Sequence, residues 1–82
     1  MVRGAERDRM ALRLREILID AREALNLNQT ELAAKVGRTQ SFVSNYERGQ
    51  RRVDVAEFIL LARALKLDPV AVVAELAKPG RQ

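Results

Sequence analysis

The 82-residue chain contains no cysteine and no histidine. Disulfides, thiolate or imidazole metal sites and Cys or His nucleophilic chemistry are therefore excluded. Aromatic residues make up only 4% of the chain, and β-branched runs are scarce. No apolar run approaches the roughly 20 residues of a membrane span. Met1 to Asp8 is charged where a signal peptide would be apolar, so a cytoplasmic protein with no membrane contact is expected. The carboxylates are scattered or sit beside cations, and no nucleophile stands with a base. No enzyme, cofactor or small-molecule ligand is indicated. Internal repeats, low-complexity segments and linkers long enough to separate domains are missing as well.

What is present is 48% hydrophobic and 32% charged, a globular balance. Ala, Leu, Arg and Glu abound, which favours an all-helical fold. The length suits one domain with a modest core and leaves no room for a separate sensor domain. Net charge is +4, and its location says more than its size. Lys35, Arg38, Arg48, Arg51 and Arg52 face only Glu47 within residues 35 to 52, so the whole excess lies there and the other charges cancel.

Five helices can be read in order. Residues 1–6 carry no pattern and read as a flexible start, 7–78 as the folded domain and 79–82 as a tail. From about Arg7 to Leu25, Met10, Leu14, Leu18, Ala21 and Leu25 recur on one helical face, with Leu12 and Ile19 off it. Asn26 suits a left-handed helix end, with Leu27 folding back as its apolar partner. Asn28 and Glu31 form a capping box opening helix 2, whose Leu32, Ala33 and Val36 face inward. Gly37 makes the turn, Thr39 caps helix 3 and Gly49 ends it. Asp54 and Glu57 form a second capping box. Val55, Phe58, Leu61, Ala62 and Leu65 follow on one face of helix 4. Asp68 and Pro69 open helix 5, with Val70, Val73 and Ala77 expected toward the core. Pro79 and Gly80 stop it.

The stretch Gln29 to Gly49 carries the functional signal. It reads as two short helices hinged at Gly37. At 100° per residue, Gln40, Ser44, Ser41 and Asn45 share an arc of about 140° on helix 3, opposite Phe42, Tyr46 and Val43. An arc of small hydrogen-bonding groups, rather than a solvating mix of Lys and Glu, is suited to base edges, and Gln and Asn amides match adenine in a major groove. The same pattern also occurs on ordinary exposed helices, and paired helices at a glycine turn are common. The basic flank is the electrostatic footprint expected for phosphate contact. Ile59, Leu60, Val72 and Leu76 exceed what a small five-helix monomer needs to bury. They either complete the core or form a homodimer interface, which would set two recognition helices about 34 Å apart on a palindromic site.

The residues Arg22, LNQTELAAKV from Leu27 to Val36, Gly37, Val43, Ser44, Tyr46, Glu47 and Gly49, with LARALKL from Leu61 to Leu67, give the segment from about Leu14 to Leu76 a family resemblance. It resembles the Cro and phage-repressor type of helix-turn-helix domain, also called the xenobiotic-response-element family. The resemblance implies an all-α, compact five-helix, lambda-repressor-like bundle with the motif at helices 2 and 3, acting as a dimeric, sequence-specific regulator on double-stranded DNA. It implies base contacts by Gln40, Ser41 and Asn45, with Ser44 a fourth. It implies phosphate contacts by Asn28, Gln29, Arg38, Arg51 and Arg52, with Gln29 buttressing the first base-reading residue and Arg51 or Arg52 a candidate for the minor groove. Arg22 and Glu47 resemble the family's structural ion pair. Two departures stand out. Lys66 replaces the usual Gly at the end of helix 4, and the first helix starts early, read as a longer helix in preference to an arm reaching DNA. A stand-alone repressor, autoregulator or controller is expected; activation would need a surface for RNA polymerase, and none is legible. The alternative from another class is an interaction or bridging module that keeps the fold without reading bases.

Overall fold

Asn28, Thr39, Asp54 and Asp68 divide the chain into the helices they were expected to open. In the computed structural model, which describes residues 3–79, α1 spans Arg3–Ala24, α2 Gln29–Lys35, α3 Gln40–Glu47, α4 Val55–Ala64 and α5 Pro69–Ala77, with no strand among the described residues. Each cap side chain accepts a backbone N–H of the first turn, from Glu31, Phe42, Glu57 and Val70 respectively. Asn28–Glu31 and Asp54–Glu57 are complete capping boxes.

The first four helices end alike. Asn26, Gly37, Gly49 and Lys66 take φ of 58°, 69°, 78° and 60°. The next residue then folds back to donate to the carbonyl five positions earlier: Leu27 to Arg22, Arg38 to Ala33, Gln50 to Asn45 and Leu67 to Ala62. This is the Schellman closure, and it satisfies carbonyls that a bare helix end would strand. Lys66 adopts the left-handed conformation its departure from Gly demanded, at the steric cost a Cβ carries there. At Gly49 a Cβ would also meet the end of the flexible Arg15 side chain, which would have to swing aside.

The core gathers Leu18 from α1, Leu32 and Ala33 from α2, Phe42, Val43 and Tyr46 from α3, Phe58, Leu61 and Ala62 from α4, then Leu65 and Val72. Phe42 and Tyr46 meet edge to face at 5.4 Å between centroids, the arrangement ring quadrupoles favour. Tyr46 is fully buried, and burial pushes its phenol well above the usual range. Helices α2 and α3 pack as the two arms of the turn, while α1 runs beneath, touching α3 and α5. At 1.5 Å per residue, the 22 residues of α1 account for most of the molecule's 40 Å long axis.

Three expectations are corrected. Helix α1 already includes Arg3 to Glu6, so the patternless start is helical over those residues; Met1 and Val2 lie outside the described residues. Val55 is 74% exposed, because the first helical residue lies past the end of the packed core although its angle is right. The phase of α5 is reversed. Val72 is buried and Leu76 half-buried, whereas Val70 and Val73 are 75% and 53% exposed. The helix is apolar on nearly every side, so its pattern does not choose a face. Packing against the core turns Val72 and Leu76 inward, and the exposed pair of Glu75 with Arg13 of α1 at 2.9 Å accompanies that phase. Val72→Ala is therefore expected to cost about 1.5–3 kcal/mol, and Val70→Ala less than about 0.5 kcal/mol; thermal melts of the two variants decide between the phases.

Candidate nucleic-acid interface

Three short links connect the inside of the molecule to the outer face of α3. Arg22 Nε donates to Glu47 Oε2 at 2.7 Å, and its Nη2 to Oε1 at 3.1 Å. Arg22 Nη1 also donates to the Leu27 carbonyl at 2.8 Å, just past the end of α1. Gln29 Nε2 donates to Glu47 Oε1 at 2.8 Å. Gln40 Nε2 then donates to Gln29 Oε1 at 2.7 Å. The chain Arg22, Glu47, Gln29, Gln40 thus crosses α1, α3 and α2 and returns to the exposed start of α3.

Chemistry fixes its direction. A carboxylate only accepts, so Gln29 must turn its amide nitrogen to Glu47 and its oxygen to Gln40. Gln40 must answer with its nitrogen. One N–H and the carbonyl oxygen of Gln40 remain available, a donor beside an acceptor, which is the pair that matches an adenine edge. The ion pair at the root is largely buried, with Arg22 and Glu47 side chains 13% and 7% exposed. Its hydrogen bonds hold the Arg22 guanidinium above its ordinary pKa.

The other expected base-reading residues divide. Ser41 is exposed and Asn45 half-buried on the same side, with Asn45 Oδ1 accepting from Arg48 Nη2 at 2.9 Å. Ser44 is only 9% exposed, so it does not join the displayed ridge. Its angle placed it there, but the neighbouring helices cover that part of the arc. Asn28 is exposed, with its side-chain oxygen committed to the Glu31 N–H at 2.7 Å and its amide nitrogen left outward. Gln29 is half-buried and spends its side chain mainly on the network.

The cations are less free than their count suggests. Arg51 forms a bidentate pair with Glu57, Nη1 to Oε1 at 2.9 Å and Nη2 to Oε2 at 2.8 Å. Arg38 Nη1 donates to the same Oε2 at 2.8 Å. Both guanidiniums lie over the Phe42 ring, at 4.1 and 4.8 Å from its centroid, within cation–π range. Lys35 and Arg52 make no ion pair among the described residues. The sequence reading took Glu57 only as a capping residue. No local spacing links it to Arg38, so its second role was out of reach.

The expected dimer residues are also sorted by the fold. Leu60 is 49% exposed, Ile59 and Leu76 are half-buried, and Val72 belongs to the core. Val70 and Val73, which the sequence reading sent inward, stand on the outer face of α5 beside the exposed Ala74 and Ala77. No helix among the described residues is long and apolar enough to cross a membrane, and no cluster of His, Cys, Asp or Glu among them is suited to a metal ion.

A helix, a left-handed glycine turn and a second helix displaying an anchored amide define a helix-turn-helix unit. A family model described as Helix-turn-helix matches residues 18–72, and the chain belongs to that family, in its Cro or XRE type. It is 44% identical over 50 residues to an uncharacterized HTH-type transcriptional regulator of Sinorhizobium fredii; the match covers 61% of this chain and 26% of that relative, so the chain spans about a quarter of its length. Among solved structures it is similar to an XRE-family like protein from Pseudomonas syringae pv. tomato, 40% identical, with a TM-score of 0.84 over 89% of each chain. It is also similar to the restriction-modification controller protein C.AhdI from Aeromonas hydrophila, 34% identical, with a TM-score of 0.69 over 76% of this chain and 90% of that one.

The Glu57 cluster gives a pH signature. Hydrogen bonds from Arg51, then the Asp54 backbone N–H and Arg38, hold the Glu57 carboxyl far below the usual carboxylate range. A depressed folded pKa contributes stability that is complete above the unfolded value, about 4.3, and is lost as pH falls from there toward the folded value. Thermal melts between pH 5 and pH 2 should therefore show a steeper acid loss for the native protein than for Glu57→Gln.

Proposed function

We propose that this protein is a sequence-specific, DNA-binding transcriptional regulator that reads a palindromic operator with α3 in the major groove. The observation that carries the reading is the braced amide of Gln40. A long polar side chain held in one orientation by a relay rooted in a buried ion pair, with one donor and one acceptor left facing outward, has no structural use of its own. Ser41 and Asn45 complete the base-reading set. Asn28, Arg38, Arg51 and Arg52 supply phosphate contacts that set register, and Arg52, the cation of that group without an ion pair among the described residues, is the better candidate for a minor-groove contact.

The protein acts as a homodimer through the apolar outer face of α5, Val70 and Val73, together with Leu60 of α4. Two-fold pairing places two recognition helices about 34 Å apart, one helical turn of DNA. Similarity to a restriction-modification controller supports a cytoplasmic regulator that acts on its own gene. Activation would add a contact with RNA polymerase.

Fluorescence anisotropy against the DNA upstream of its own gene, and against a shuffled duplex of equal composition, tests the reading. Gln40→Ala or Asn45→Ala should each weaken the specific complex by about 1–3 kcal/mol and leave the shuffled duplex unaffected. Equal weak binding to both duplexes, with no response to either substitution, would sink base reading at this target. For the dimer, Val73→Glu should shift the mass seen by light scattering from dimer to monomer at micromolar concentration. A native protein that is already monomeric at high micromolar concentration would overturn that part.

A further inference from the structure

The Arg38–Glu57–Arg51 cluster is the second built feature of the α3 flank, and it rests on long-range contacts. Arg38 stands just before the Thr39 cap and Arg51 just after the turn that ends α3. Their guanidiniums meet because Glu57 Oε2 accepts from both, each at 2.8 Å, and because both rest on Phe42. We propose that Glu57 assembles Arg38 and Arg51 into a single clamp for one phosphate, acting as the positioning residue of that site. The DNA version of this proposal rests on the regulator reading above.

Two fates for Glu57 can be imagined when an anion arrives: it is displaced, or it stays and holds the arginines. The geometry favours the second. Its side chain is 12% exposed, against 38% for each arginine, so the carboxylate lies beneath the guanidiniums and their outer edges face water. All its bonds are directed: Oε1 accepts from the Asp54 N–H at 3.0 Å and from Arg51, while Oε2 accepts from both arginines. Stripping the arginines away would remove three of the four hydrogen bonds that Glu57 accepts. The cluster still carries one net positive charge. Arg38 keeps Nε and Nη2, and Arg51 keeps Nε and one hydrogen of Nη2, because its Nη1 is spent on Glu57 Oε1 and the Arg52 carbonyl. Planar donors already fixed in place lose little side-chain freedom on binding an anion.

The common oxygen favours one shared phosphate over two separate ones. Two nitrogens each at 2.8 Å from Oε2 lie at most twice that distance apart, close enough for the outer edges of the two guanidiniums to converge on a single anion. Arg38 and Arg51, which sequence alone places as separate backbone contacts, therefore act together.

The first test uses the free protein and inorganic phosphate at low salt, followed by the arginine Nε–H resonances. The Arg38 and Arg51 signals should move together with one midpoint, and Glu57→Gln should abolish the shared response; separate midpoints, or an unchanged response in Glu57→Gln, overturn the clamp. The second test is the salt dependence of duplex binding. Arg38→Ala, Arg51→Ala and the double variant should each flatten the log-log slope by roughly 0.9, the share of one phosphate; a loss twice as large in the double variant overturns sharing. Glu57→Gln should weaken duplex binding about tenfold and flatten the slope likewise, while tighter binding with a steeper slope would make Glu57 a competitor of DNA. Asp54→Ala, which breaks the α4 cap but leaves both arginines on Glu57, should lower thermal stability without changing the slope. A normal phosphate response with no duplex bound would fail the DNA reading and keep the clamp. Sequence-specific binding with no phosphate response would do the reverse.

Discussion

The amide that α3 displays at its exposed start, Gln40, depends on one carboxylate that faces inward. Glu47 is the last residue of α3, and its side chain is 7% exposed. Burying a carboxylate is costly unless its oxygens are answered. Here they are answered by Arg22 from α1 and Gln29 from α2. The requirement to satisfy that charge sets the position of α1 relative to the turn, the rotamer of Gln29 and, through Gln29, the rotamer of Gln40. The Leu27 carbonyl takes the remaining Arg22 nitrogen, so the end of α1 is tied to the same point. A change that neutralised Glu47 would disturb three helices at once, although none of its contacts reaches the surface directly.

Local chemistry was legible in the sequence and long-range chemistry was not. The starts of α2 to α5 were named by their caps and the ends of α1 to α3 by residues tolerant of left-handed backbone, because those interactions span five residues or fewer. Lys66 is the exception: its place in the family's pattern, not its own preference, marked the left-handed turn it makes at φ 60°. The Arg22–Glu47 pair and the Gln29 buttress came from family resemblance, since nothing local joins residues so far apart. Other long-range pairing, and packing, lie beyond both kinds of reading. Glu57 is legible as a cap and not as the partner of Arg38, nineteen positions away. Ser44 belongs to the ridge by its angle and by the resemblance, though neither reports what packs beside it. Helix α5 was turned the wrong way because Val and Ala occupy both of its faces, and only its packing against the other helices distinguishes them.

The electrostatics carry the same lesson on another scale. A charge count placed the whole excess of +4 around α3 and implied a diffuse basic field. The structure instead divides that charge into anchored and unanchored parts. Arg38 and Arg51 share Glu57, Arg48 leans on Asn45 and Gln50, and Lys35 and Arg52 have no ion-pair partner among the described residues. Unanchored cations contribute attraction at a distance, which salt screens. Anchored ones add a fixed geometry to that attraction.

The same division explains why a surface helix would be braced so heavily. Ordering a free Gln side chain costs up to about 1.5–2 kcal/mol, comparable to the roughly 1–3 kcal/mol of discrimination that a bidentate base contact supplies. A floppy Gln40 would lose much of its selectivity to its own ordering. Because the relay from Glu47 orders it during folding, that cost is already met in the free protein. Ser41 needs no such support, since it has little side-chain freedom to lose. Asn45 is intermediate, and it receives one hydrogen bond from Arg48. The amount of bracing thus rises with the flexibility of each displayed side chain. A surface evolved only for solubility would have no reason to show that correlation, whereas a reading surface would.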